Sequence, residues 1–213
     1  MPEQTYILYG RAGTGSAAVE AFFEEAGVAY ALVASESDAQ GRPDPRLLAL
    51  NPLGQVPVLV LPSGDVLTES AAILIYLADR HPDSAYAPAQ NSPLRAKFLR
   101  WMVFMAANTY AAIIRLHAPA RHTADSAGAE GVRRASSEDL SRQFAILAEE
   151  LGEGPWLLGE TYSALDPYLA MLIAWVEDVP GVFRRHPGLA AHFARVKARP
   201  AIGPIWRRHG MDF

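Results

Sequence analysis

With 213 residues, 50% of them hydrophobic and 20% charged, the chain can bury one large core or two small ones, and its formal net charge of -4 leaves no basic surplus for nucleic acid. No apolar run reaches the roughly 20 residues that a membrane-spanning helix needs, and residues 1–5 carry neither the basic region nor the apolar core of a leader, so a cytoplasmic place without membrane or nucleic-acid partners is expected. A cysteine count of 0 excludes disulfides, thiolate metal sites, C-x-x-C redox pairs and a cysteine nucleophile.

Residues 5–10 read as a strand, 16–27 as a helix and 28–33 as a second strand, a βαβ unit. Between the first two lies Gly13-Thr14-Gly15-Ser16-Ala17-Ala18, which spells G-x-G-x-x-A, the dinucleotide fingerprint. Glu36 and Asp38 follow about 20 residues on, where such a site places its ribose-binding acid. The chain then departs from that fold. A short helix over 43–50, a third strand over 56–61, a turn at Pro62-Ser63-Gly64-Asp65, a brief strand at Val66-Leu67 and a helix over 69–80 give β-α-β-α-β-β-α, with no long parallel sheet to follow. Residues 82–91 loosen into a linker. Everything after it is expected to be helical.

Ser92 as N-cap and Pro93 at N1 start a helix of about 25 residues that Pro119 stops. On it Trp101, Phe104, Met105 and Asn108 fall at i, i+3, i+4 and i+7, one face of a regular helix. A second helix is expected over 129–151, closed by Gly152. A third runs from Ser163–Asp166 to just before Pro180-Gly181, and a fourth covers roughly 187–199. The six histidines show no H-x-x-x-H spacing with a nearby carboxylate, so no metal is expected and they read as surface or helix-end residues.

Two motifs carry chemistry. In Asn51-Pro52-Leu53-Gly54-Gln55-Val56-Pro57-Val58-Leu59-Val60, Pro57 cannot donate to a ladder and marks a strand start or edge. A cis bond before it turns Val56 outward, where its N–H and C=O can pair with an extended peptide; a plain strand-initiating proline is the alternative. Twelve residues beyond Pro57, Leu67-Thr68-Glu69-Ser70-Ala71-Ala72-Ile73 opens a helix. Its free N–H groups and dipole suit an anion, the Ser70 hydroxyl adds a donor, and Glu69 can accept an ammonium, so the pair can hold the carboxylate and amine of an amino acid. The alternative has Thr68 capping the helix and Glu69 complementing its dipole.

Together these stretches resemble the glutathione transferase superfamily. The likeness rests on the opening strand and loop, N-P-L-G-Q-V-P-V-L at 51–59, T-E-S-A-A-I-L-I-Y-L at 68–77 and S-x-x-D at 163–166, and it covers essentially the whole chain. It implies an α/β thioredoxin-like N-terminal domain over 1–81, the linker, and an all-α C-terminal domain over 92–213, usually as a homodimer. It implies glutathione as co-substrate, lying against Gln55, Val56 and Pro57 with its γ-glutamyl end on Glu69 and Ser70. Conjugation of the thiolate to a small apolar electrophile is the implied reaction. Glutathione-dependent isomerisation, dehalogenation or ether cleavage, or a non-catalytic binding role, are the alternatives.

Such an enzyme needs a hydrogen bond and a positive field at the sulfur. An ungapped comparison puts Gly13 where the theta and zeta classes keep a serine and Gly15 where the beta class keeps a cysteine. Thr14 and Ser16 flank these positions as candidate hydroxyls, Tyr9 matches the tyrosine classes, and Arg11 adds charge over the loop. The resemblance places the second substrate against Phe104, Met105, Asn108 and Tyr110, with Tyr110 near a histidine position of the beta class. Ser163 and Asp166 suit the capping box that family members carry, or else Asp166 is the N-cap and Pro167 stands at N1.

Overall fold

Buried and half-buried side chains alternate along Tyr6–Gly10, the inner strand β1: Tyr6, Leu8 and Gly10 turn to one face, Ile7 and Tyr9 to the other. The computed structural model describes residues 5–211, so the expectation that no leader is present rests on residues that, Thr5 apart, lie outside the described ones. Helix α1 (Ser16–Ala26) and strand β2 (Tyr30–Ala34) complete the βαβ unit. Gly27 at φ 63° closes the helix by donating its N–H to the Phe23 carbonyl. Helix α2 (Pro45–Leu50), β3 (Val58–Val60), β4 (Val66–Thr68) and α3 (Ser70–Arg80) follow in the expected order.

The sheet has four strands in the order β2-β1-β3-β4, with β1 parallel to β2 and antiparallel to β3, and β3 antiparallel to β4. This mixed sheet is thioredoxin-like. It is not the doubly wound parallel sheet on which a G-x-G-x-x-A loop binds dinucleotides. On one face α1 packs against α3; on the other, Leu47 of α2 meets Val56 and Val58, with Tyr9 and Leu50 against them.

The chain divides into two compact units. Of the described residues, the first holds those through Ala89 together with those from Lys197 onward, and the second is Gln90–Val196. The sequence reading ran residues 197–213 on with the helical domain. Of these, residues 197–211 pack instead with the first unit: the short helix Ile202–Arg208, which that reading did not resolve, lies against α1.

In the second unit, α4 (Arg95–Phe104), a π-helical turn (Met105–Tyr110) and α5 (Ala111–His117) form one continuous helical run. It starts two residues later than expected: Leu94 holds the cap position without a side-chain cap, and Ser92 Oγ accepts the Leu94 N–H at 3.2 Å in the turn before it. The run corrects the expected face. A π turn is wider than an α turn, so Thr109 rather than Asn108 comes round beneath Met105: Trp101, Met105 and Thr109 are buried and Asn108 is exposed. Helix α6 (Ala129–Leu151) ends at Gly152 as expected and packs along α5. The third helix is shorter than expected. α7 (Leu165–Ala174) stops early, and Pro180 stands in the first turn of another helix, α8 (Val179–Arg185), which Asp178 caps through the Gly181 N–H at 2.8 Å. α9 is Pro187–Lys197 and the last helix, Ile202–Arg208, is α10.

The capping box takes the register with Ser163 as cap. Its Oγ accepts the Leu165 N–H at 3.3 Å, and Asp166 Oδ2 accepts the Ser163 N–H at 2.8 Å. Asp166 Oδ1 also accepts the Leu157 N–H and faces His192 Nε2, each at 3.0 Å, and both side chains are fully buried. His192 and His209 thus correct the expectation of surface histidines; His209 does end a helix, but both are interior.

Candidate functional site

The sheet register gathers the first unit's motifs at one end. Tyr9 pairs with Val58, and Val58 with Thr68. The loop after β1, the Val56-Pro57 bond before β3 and the start of α3 after β4 therefore converge.

The Val56-Pro57 peptide is cis, and Val56's own N–H and C=O make no hydrogen bond among the described residues. Sequence reasoning missed the side chain that braces this turn. Buried Asn51 donates from Nδ2 to the Gln55 carbonyl at 3.0 Å and accepts the Leu53 N–H at 3.2 Å, around Gly54 at φ 63°. Gln55 itself is exposed.

Glu69 is the N-cap of α3 but makes no side-chain cap; its backbone sits at φ 67°, ψ 108°, sparsely populated for any residue with a Cβ. Its carboxylate is exposed while Ser70 beside it is buried at the head of the helix. Backbone strain of this kind clusters at ligand clamps, active sites and switch segments.

The loop hydroxyls look inward. Thr14 Oγ1 donates to the Arg11 carbonyl at 2.6 Å and Ser16 Oγ to the same carbonyl at 3.1 Å, while Ser16 Oγ accepts the Arg11 N–H at 3.2 Å. Ser16 is 0% exposed and Thr14 half-buried. Gly10 is required here, since a Cβ would stand 2.9 Å from both Cβ and Oγ of Ser16. Tyr9 is half-buried among Leu47, Val56 and Val58 on the α2 face. Arg11 extends to Ser37 Oγ at 3.3 Å.

The sequence reading also missed the loop's anchor. The Gly13 N–H donates to His209 Nδ1 at 3.1 Å, and His209 Nε2 lies 2.9 Å from Glu20 Oε1, whose other oxygen pairs with Arg208. Burial pushes the Glu20 carboxyl up, but the hydrogen bonds and charges of His209 and Arg208 outweigh it and hold it below its ordinary value. A signal was present: Glu20 is the one acid among the eight buried residues that open α1, and a buried carboxylate needs partners.

Of the residues expected to meet a second substrate, Met105 is buried. Phe104 stacks edge-on against Trp101 at 5.2 Å, Asn108 Nδ2 donates to the Phe104 carbonyl at 3.2 Å, and Tyr110 stands edge-on to Trp175 at 5.2 Å. No group of three or more potential metal ligands occurs among the described residues, and none of their helices is long and apolar enough to cross a membrane.

Residues 16–80 match the glutathione S-transferase N-terminal domain and residues 130–195 the C-terminal domain. The chain is 32% identical to the uncharacterized GST-like protein YncG of Escherichia coli K12 over 169 residues, 79% of this chain and 80% of YncG. To glutathione S-transferase GstA of Escherichia coli O157:H7 it is 29% identical over 163 residues, 76% and 78% of the two chains. A sphingomonad glutathione S-transferase solved in complex with glutathione superposes with a TM-score of 0.79 at 30% identity, covering 96% of this chain and 98% of that one. With both of its halves matched in this way, the chain belongs to the glutathione S-transferase family.

Proposed function

We propose that the chain binds glutathione at this end of the sheet and conjugates its sulfur to a small apolar electrophile. The observation that carries the reading is the juxtaposition of Val56, whose peptide groups are unpaired among the described residues, with strained Glu69 and buried Ser70 at the head of α3. Glutathione is an extended peptide with an amino-acid end. Its cysteinyl backbone pairs with the Val56 N–H and C=O, its γ-glutamyl carboxylate takes the Ser70 hydroxyl and the first N–H groups of α3, and its ammonium takes Glu69.

The sulfur then faces the turn at residues 11–15. Its proton leaves to water and the thiolate forms the carbon–sulfur bond; an aryl halide then loses halide with its electron pair, whereas an unsaturated carbonyl takes the electron pair at its α-carbon and is protonated there by water. Thr14, half-buried where Ser16 is fully enclosed, supplies the hydroxyl after rotating off the Arg11 carbonyl; Ser16 braces the loop from within and Tyr9 packs against Leu47, Val56 and Val58. The Gly15 N–H at the start of α1 adds to the field. Phe104, Asn108 and Tyr110 are assigned to the electrophile by family resemblance, as are a homodimer and a cytoplasmic place.

Calorimetric titration with glutathione, followed by assays on a panel of aryl halides and unsaturated carbonyls, tests this reading. Binding with turnover is expected. Binding without turnover anywhere favours a binding module, and no binding overturns the proposal. Thr14→Ala is expected to raise the thiol pKa of bound glutathione more than Ser16→Ala, and Tyr9→Phe to leave it in place.

A further inference from the structure

The loop that the proposed function turns toward the sulfur is not held by its own residues alone. Gly13 lies at φ 68°, and its N–H is aimed at His209 Nδ1, 196 residues further along the chain. A main-chain N–H can only donate, so Nδ1 must be the unprotonated nitrogen and Nε2 must carry the ring proton. Nε2 in turn meets a Glu20 oxygen, which as a carboxylate only accepts. Both ring nitrogens are thereby satisfied in a single tautomer. The connection is interior, with His209 6% and Glu20 1% exposed. Glu20 belongs to α1, which starts where the loop ends, so the imidazole ties the middle of the loop to the second turn of the helix.

We infer that His209 is a positioning residue: it fixes the glycine turn at Gly13 through Nδ1 and is itself held by Glu20 through Nε2. This rests on the reading of that loop as the face presented to the glutathione sulfur. A five-residue turn containing two glycines and an alanine has little stiffness of its own, and ordering it on ligand binding costs conformational entropy. With the Gly13 N–H already bonded, the turn is set before the ligand arrives. Arg208 completes the support by pairing with the second Glu20 oxygen. The C-terminal segment thus acts on the site without touching the ligand.

The two nitrogens can be tested separately. Asparagine places an acceptor near the Nδ1 position and fails to reach Glu20, whereas glutamine places a donor near the Nε2 position and leaves Gly13 without a partner. Loss of one net hydrogen bond is expected to weaken glutathione binding about 3- to 10-fold in His209→Ala and His209→Gln and to raise the thiol pKa of the bound tripeptide. His209→Asn is expected to restore both, while its urea midpoint falls with that of His209→Ala. A merely structural histidine would make affinity follow stability across the three variants, and that result overturns the proposal.

A ligand-free arm keeps this separate from the glutathione reading. Nitrogen-15 spectra of the wild-type protein should show the Nε2–H tautomer at His209, and the Gly13 amide should exchange faster in His209→Gln than in His209→Asn. The opposite tautomer, or a Gly13 amide indifferent to the substitution, overturns the inference even if glutathione binds. If wild-type protein fails to bind glutathione, the functional reading falls, while the spectra still decide the loop bond.

Discussion

Replacing Glu69 by glycine and, separately, by alanine divides two roles that the residue combines. Its φ of 67° and ψ of 108° keep a Cβ in a region that costs an L-residue about 1–2 kcal/mol, and alanine inherits that cost while glycine escapes it. Against this, glycine loses about 0.5–1 kcal/mol more backbone entropy on folding than alanine does. The difference leaves Glu69→Gly more stable than Glu69→Ala by about 0.5–1 kcal/mol, or about 1–4 °C in Tm for a chain of this size. Both variants lose the carboxylate. A charge-assisted bond to an ammonium is worth about 1.5–3 kcal/mol, so glutathione affinity should drop roughly 10- to 150-fold in each. Thermal unfolding and calorimetric titration of the three proteins read out the two effects. Equal stability of the glycine and alanine variants would refute the strain; undiminished affinity in both would refute the contact.

The acid limb of stability should depend on Glu20. Because its carboxyl is held below the ordinary 4.5, the unfolded chain takes up this proton first as pH falls; the stabilisation is present above that value and is lost as pH drops through the folded-state pKa. Urea midpoints of Glu20→Gln should therefore fall less steeply toward acid than those of the wild type, from a lower start at neutral pH. Asp166→Ala strips the acceptor from the buried Leu157 and Ser163 N–H groups and from His192, and should cost about 3–5 kcal/mol, seen as loss of soluble folded protein or a large drop in Tm. Gly54→Ala puts a Cβ 2.5 Å from Pro43 Cγ at a φ of 63°. It should destabilise by at least about 1–2 kcal/mol and weaken glutathione binding, since the turn ahead of Val56 must shift.

The sheet and its order of elements were legible because each strand is bracketed by punctuation the chain cannot ignore: Gly10 before the loop, Gly27 after α1, Pro57 ahead of β3 and Ser63-Gly64 between β3 and β4. The local conformations at Pro57 and at the Glu69-Ser70 helix start were legible for the same reason, since both constrain the backbone locally. What stayed hidden was non-local or periodic. A π turn leaves the composition of a helix unchanged, so Asn108 was assigned to a buried face that Thr109 occupies. Pro180 reads equally as the end of one helix or the first turn of the next, and only the Asp178 cap decides between them. Nothing in the sequence tells that the Thr14 and Ser16 hydroxyls both bond the Arg11 carbonyl.

Helix α1 shows how a distant segment leaves its mark on local sequence. Ser16-Ala17-Ala18-Val19-Glu20-Ala21-Phe22-Phe23 has no polar stripe, and all eight residues are buried. A helix buried all round must be covered on more than one side, and the β-sheet with α3 is one side only. Glu20 adds a charge that no neighbour in α1 can neutralise. A run of this kind therefore calls for a cationic or hydrogen-bonding segment from elsewhere in the chain, and Arg208 with His209 answers it. Glu25, on the same helix, accepts from Tyr86 and pairs with Arg199 in the same way. Both carboxylates are paired with arginines of the segment after Lys197. The helix that begins where the loop after β1 ends is thus held at two points by the C-terminal segment, which is why that segment belongs to any account of how the loop keeps its shape.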